Sequence, residues 1–199
     1  MIRTLINIVV VLLIILLGGA YLQPRKVHVE RSIVVDRSPA AVFPLVNSVR
    51  KFNEWSPWLA YDPNVRMTYS GAEEGVGAKM AWAGNSKVGH GAQEITASER
   101  DRRVAFIIEF GEQGPAEAAF VLKPDAGRTQ VVWSLDVDMG NNPIGRYMGL
   151  LMDRNVGPDY ARGLAQLKAL AESAPEAATP QAADQPASAP VTSSNAPSS

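Results

Sequence analysis

The polar side chains that could do chemistry in this chain are few and scattered. There are two histidines, His28 and His90, and no cysteine. Without cysteine there are no disulfides, thiolate metal sites or cysteine nucleophiles, and two histidines are too few for a multi-histidine metal centre. Histidine is the side chain most often used as a general base, which makes His90 a candidate. It has no serine–histidine–carboxylate set around it, and its neighbours Gly89 and Gly91 mark a turn at the start of a strand. Glu94 and Glu109 are strand carboxylates. A buried pair could exchange protons at shifted pKa values, but Glu109 is out of phase with its apolar neighbours and is expected in solvent. Gly71, Gly75 and Gly77 lack the Lys-Ser/Thr and the following helix of a phosphate-binding loop. No catalytic residue, metal or cofactor is assigned.

The aromatic residues say more. Trp55-Ser56-Pro57-Trp58 is the most unusual local run. It can form a lip around an apolar ligand or a plug that holds a loop to the core, and tryptophan supplies a large contact area in either role. Trp82, Phe106, Phe110, Phe120 and Trp133 fit a pocket wall or plain core. Tyr69, Tyr147 and Tyr160 carry hydroxyls that could orient a polar head, although a buried tyrosine finds a partner in any case. The ligand-contacting set expected from these residues is Trp55, Trp58, Tyr69, Trp82, Phe106, Phe120, Trp133 and Tyr160, with ordinary packing as the competing reading for each.

These residues must be carried by regular elements. Val27, Val29, Arg31, Ile33 and Val35 alternate with their neighbours at period two and predict a first strand. Ser38-Pro39 predicts a helix start, with serine capping the free amides and proline in the first helical position. Pro44 then splits the helical run in two, the second piece ending near Asn53. Strands follow around Val65–Tyr69, Lys79–Ala83, Gly91–Glu99, Val104–Phe110, Ala118–Leu122 and Val131–Val137. Glycine-bearing turns separate them, including a hairpin at Pro124-Asp125-Ala126-Gly127. Ile144, Tyr147, Met148, Leu151 and Met152 are spaced as a helix, as are Val156, Tyr160, Leu164, Leu167 and Ala171, with a break or kink expected at Gly157-Pro158. Short strands with helices gathered on one side give an α+β fold with an antiparallel sheet. The sheet curls around the last helix, leaving a space between them where a small molecule would fit.

The chain divides into three zones. Residues 1–24 contain a nearly unbroken apolar run over residues 4–22, and about twenty helical residues cover the roughly 30 Å core of a bilayer. A membrane anchor is the expectation, with cleavage of a signal peptide after Ala20 as the alternative. Arg3 precedes the run, and Arg25 and Lys26 come after it. Counting charges places the domain in the cytoplasm, whereas a three-residue head before the span is that of a signal anchor, which exports the domain C-terminal to it. An extracytoplasmic domain is the expectation adopted. Residues 25–172 are long enough for one domain with a sizeable core. Residues 173–199 are rich in Ala, Pro and Ser and hold too little apolar surface to offset chain entropy, so a disordered tail is expected. A net charge of −1 gives no basic field for nucleic acid. Arg100, Arg102 and Arg103 form a charged hairpin tip that is expected in solvent or, if it faces a bilayer, against anionic headgroups.

The middle zone resembles the START-like, or SRPBCC, superfamily of polyketide cyclases and lipid-transfer proteins, and within it the bacterial membrane-anchored members. The residues that carry the resemblance are Val29–Pro39, Val42-Phe43, Trp55-Ser56-Pro57-Trp58, Tyr69-Ser70-Gly71, Gly75-Val76-Gly77, Trp82, Gly89-His90-Gly91 and Asp153–Lys168. The resemblance implies a helix-grip fold, with six to seven strands wrapped around a long C-terminal helix. It also implies a hydrophobic cavity and a single-pass protein of a bacterial inner membrane. Fold does not name the ligand. The expected function is binding or transport of a hydrophobic or amphipathic, lipid-like molecule. The alternatives are a cyclase or dehydratase-type enzyme, and a protein-interaction module with a filled core.

Overall fold

The computed structural model describes residues 2–111 and 114–173; the tail expected from 173 onward lies outside them except for Ser173. Helix α1 (Ile2–Ala20) leads into strand β1 (Lys26–Val35), and the chain then makes helices α2 (Pro39–Val46) and α3 (Val49–Trp55) and a 3₁₀ turn at Pro57–Ala60. Six strands come next: β2 (Arg66–Gly71), β3 (Ala78–Ala83), β4 (His90–Glu99), β5 (Arg103–Glu109), β6 (Pro115–Asp125) and β7 (Arg128–Asp138). Helices α4 (Pro143–Gly149) and α5 (Met152–Ser173) close the domain. The seven strands form one sheet in the order β1-β7-β6-β5-β4-β3-β2, all antiparallel. This is the helix-grip arrangement.

Each element arises from its residues. Val29 and Val35 of β1 and Phe120, Leu122, Val131, Trp133 and Leu135 of β6 and β7 are buried on the inner face. The residues between them point to the opposite face, as the alternation of a strand requires. A register shift between Ile95 and Ala97 puts a bulge into β4, and a bulge bends its strand and adds twist. The tight β6–β7 turn places Ala126 (φ 47°) and Gly127 (φ 85°) in the left-handed region, the backbone of a primed hairpin turn.

Helix α5 carries Tyr160, Leu164, Leu167 and Ala171 on one stripe, all buried against the sheet. Of the break or kink expected at Gly157-Pro158, the break does not occur: α5 is continuous from Met152 to Ser173 with Pro158 inside it. Proline inside a helix costs about 3 kcal/mol, whereas burying each large apolar side chain of the stripe returns about 1.5–3 kcal/mol, so the packed stripe prevails. The chain turns instead at Leu150 and Leu151, whose amides bond to Tyr147 and Met148 three residues back. Two short helices do replace one after β1, but α2 runs through Pro44 to Val46, and the break falls at Asn47-Ser48. Ser38 occupies the N-cap position of α2 without a side-chain capping bond. At α4 the capping side chain is Asn142, which accepts from the Ile144 and Gly145 amides at 3.0 and 3.3 Å.

Helix α1 is 19 residues long with mean hydropathy 2.5, and none of its apolar window is buried. It is the one helix among the described residues long and apolar enough to cross a membrane.

Candidate functional site

Helices α2 and α3 fill one half of the space under α5, and the other half is left open. The filling is done by Val42, Phe43, Val46, Val49, Phe52 and Trp55, all buried. Trp55 lies edge-on to Phe120 and Trp133 at 5.6 Å, and its indole N–H donates to the Leu45 carbonyl at 3.1 Å. The polar end of this large buried ring is therefore satisfied inside the protein.

The open half is a cavity of about 180 Å³. Trp58, Trp82, Phe106, Phe120, Trp133 and Tyr160 of the expected set line it, as does Phe110. Trp55 and Tyr69 lie outside the lining. The Tyr69 hydroxyl instead accepts from the Asn53 side chain at 2.8 Å, and the Arg50 guanidinium sits 4.1 Å over the Tyr69 ring. The remaining walls come from Phe52, Leu59, Val65, Met67, Met80, Val88, Ile108, Leu135 and Val156. Among these, Leu59, Val65, Val88, Ile108 and Val156 are only half-buried and form the rim. Strand pairing explains the grouping: Met67 is opposite Trp82, Gln93 opposite Met80 and Ile108, and Ile108 opposite Ala116. These residues stand towards the end of the sheet at which β1 begins.

Polar side chains in this lining include Asn53, Ser56, Gln93 and Tyr160, of which Asn53 already donates to the Tyr69 hydroxyl. Gln93 is 8% exposed, and its side-chain Nε2 is buried without a hydrogen bond. An unpaired buried amide costs about 1–3 kcal/mol, so a site that keeps one invites an acceptor atom. The Tyr160 ring stacks on Trp133, and burial alone pushes its hydroxyl well above the ordinary tyrosine value. That hydroxyl stays protonated across the physiological range and can donate. Gln93 was not singled out from the sequence. The available signal was phase: it lies two residues before the inward-facing Ile95, so a polar residue stands where β4 faces the core.

The polar residues considered for catalysis lie elsewhere. His90 is exposed at the start of β4, next to Gly111. Glu94 pairs with Lys79 at 2.8 Å, and Glu109 is exposed. His28 is exposed and bonds Asp136 at 2.8 Å across β1 and β7. Groups of three or more candidate metal ligands are not found among the described residues.

Comparison with known proteins gives a consistent picture. A family model described as polyketide cyclase / dehydrase and lipid transport matches residues 26–172. Solved structures with the same fold include Ara h 8.0201, at 15% identity and TM-score 0.55 over 75% of this chain and 99% of that one. A protein from Thermobifida fusca matches at 18% identity and TM-score 0.55, covering 72% of this chain and 92% of that one. The Zhui aromatase/cyclase from Streptomyces sp. R1128 matches at 15% identity and TM-score 0.51, covering 74% and 94%. No curated protein matches the chain significantly.

Proposed function

This chain belongs to the polyketide cyclase / dehydrase and lipid transport family, and from that premise we propose that it binds a hydrophobic or amphipathic small molecule in the cavity between sheet and α5 while tethered to a membrane by α1. The observation that carries the binding reading is an apolar cavity with an unpaired Gln93 amide in its wall. Ligand sites have this composition: mostly apolar surface with a few polar groups that fix orientation. The ligand is therefore an apolar body bearing an oxygen that accepts from Gln93.

Volume limits its size. About 180 Å³ is slightly more than the roughly 150 Å³ cavity that holds benzene, and less than the roughly 300–1,000 Å³ of pockets for drug-sized ligands. A ring-sized molecule fits as the cavity stands. A longer chain enters by displacing the rim at Leu59, Val65 and Val88. The exposed apolar surface of α1 supports the tether, and the proposal takes the domain as extracytoplasmic on a bacterial inner membrane.

The test is titration of the full chain, in lipid nanodiscs, with fatty acids and phenols of graded size, monitored by tryptophan fluorescence. Trp58, Trp82 and Trp133 line the cavity and report on its filling. Saturable one-to-one changes that Gln93→Leu weakens support the proposal. Linear, non-saturating responses across the panel, with no small molecule recovered by extraction of the purified chain, sink it. A second reading has one specific observation behind it, the buried Tyr160 side chain in the cavity wall. If a ligand is returned chemically altered by the native chain and unaltered by Tyr160→Phe, cyclase or dehydratase chemistry replaces simple binding.

A further inference from the structure

Among the described residues outside α1, eight large hydrophobic residues are exposed, and four of them, Ile144, Met148, Leu150 and Leu151, lie on α4 and the turn after it. Two more, Tyr21 and Leu22, are at the foot of α1. Ile144 and Met148 stand at i and i+4 on one face of α4, and Leu150 and Leu151 follow in the turn after it. Ile144 is 72% exposed. A cluster of this kind on an otherwise polar surface marks an interaction site.

The opposite face of α4 shows where the cluster is held. Arg146 is buried, and its guanidinium donates to the carbonyls of Gly140, Tyr21 and Gln23 at 3.1, 3.3 and 3.4 Å. The same group lies 5.1 Å over the Tyr21 ring. One residue on, the Tyr147 hydroxyl donates to the Leu16 carbonyl of α1 at 2.8 Å. Two consecutive side chains thus fasten α4 to the end of the apolar helix and to the residues just after it. An element fastened there stands at the level where α1 leaves the hydrocarbon.

We propose that the outward face of α4 is a membrane-docking surface, in which Ile144, Met148, Leu150 and Leu151 enter the boundary between lipid headgroups and acyl chains beside α1. This rests on the reading of α1 as a membrane span. The bilayer is the occupant that the geometry selects, because the apolar patch continues through Tyr21 and Leu22 into α1 itself. A free helix of seven residues would bind membranes poorly, but the span already holds α4 at the surface, so its partitioning is intramolecular. The consequence is orientation. Lys26 pairs with Asp138, and Val27 with Val137, which pairs in turn with Ala116. The end of the sheet that holds the cavity is therefore the docked end, and an apolar ligand passes between bilayer and cavity with little exposure to water. Arg103 pairs with Val121, Val121 with Val132 and Val132 with Ser32, so the Arg100–Arg103 tip stands at the far end and faces away from the headgroups.

The chain has no cysteine, so single-cysteine variants label cleanly. Val10→Cys, Met148→Cys, Leu151→Cys and Lys123→Cys, each carrying an environment-sensitive fluorophore, would be reconstituted as full chains in phosphatidylethanolamine–phosphatidylglycerol vesicles. Part of the lipid would be brominated high on the acyl chain. The expected result is quenching at 10, 148 and 151 several-fold stronger than at 123. Quenching at 10 with water-like signals at 148 and 151 overturns the docking surface and leaves the span intact. Water-like signals at 10 as well overturn both. Neither outcome depends on whether the cavity binds a ligand.

Discussion

The Tyr160 ring of α5 lies flat on the Trp133 indole of β7, with centroids 3.8 Å apart and planes 11° from parallel. This pair is the closest aromatic contact between helix and sheet, and it forms one wall of the cavity. It gives the long helix a fixed seat, which burial of Leu164 and Leu167 alone would not specify. Tyr160→Ala is expected to lower stability by about 3–5 kcal/mol, the usual cost of emptying a large aromatic site. Tyr160→Phe keeps the stack and removes only the hydroxyl, so it should cost under about 1 kcal/mol. Thermal unfolding of the two variants checks the contrast, and equal losses would refute it.

Gly163 lies one turn further along α5, and a Cβ there would meet Trp133 at 2.9 Å and Pro57 at 3.1 Å. Alanine would gain about 1 kcal/mol of helix propensity over glycine. It would also overpack a rigid indole already held by Tyr160, at about 1–3 kcal/mol. The clash is expected to win, so Gly163→Ala should lower the urea midpoint. A raised midpoint would mean that α5 can lift from the sheet at low cost.

Gln93 makes opposite predictions for stability and binding. Gln93→Leu replaces an unpaired buried amide with a side chain of similar size. The ligand-free protein should gain about 1 kcal/mol, because the desolvation cost of the amide disappears. Affinity for an oxygen-bearing apolar ligand should fall by about tenfold, the equivalent of one hydrogen bond of about 1.4 kcal/mol. Calorimetry or fluorescence titration measures the second effect, and unfolding the first. A variant that is less stable in the absence of ligand would show that the amide is satisfied in solution.

His28 provides the pH dependence. Its hydrogen bond to Asp136 raises its pKa above the ordinary 6.5, with a smaller contribution from Glu30. A raised value means that the protonated imidazole favours the folded state. That contribution is complete below pH 6.5 and is lost as the pH rises through the raised value. The site is exposed, so the effect is small and salt-sensitive. The melting-temperature difference between the native chain and His28→Gln should shrink on going from acid to mildly alkaline buffer. A difference that grows would reverse the sign.

Much of the architecture was legible in the sequence because it depends on local period. Alternation in residues 27–35 and 131–137, the helical spacing of Tyr160, Leu164, Leu167 and Ala171, and the Gly127 turn each depend on a few neighbouring residues. The apolar run of α1 was legible for the same reason, since length and composition suffice to recognise a potential span. The division of the aromatic residues between core and cavity was not. Trp55 and Trp58 are three residues apart with the same chemistry, yet one is enclosed by α2 and β6–β7 and the other borders the cavity. Only the volume that α2 and α3 occupy under α5 decides between them. Gln93 reads as one polar residue in a strand until the pairing with Met80 and Ile108 turns it inward. The stripe of α4 has the spacing of a core helix, but Arg146 on the other face and Tyr147 at the flank of the stripe tie α4 to α1 and the residues after it, and Ile144 and Met148 stay outside. Helix α5 runs through Gly157-Pro158 because long-range burial outweighs a local breaker. Period and propensity act over a few residues and select the elements. Which face is covered, and what space remains, is set by contacts between segments distant in the chain, and those exist only once the sheet has closed around the helix.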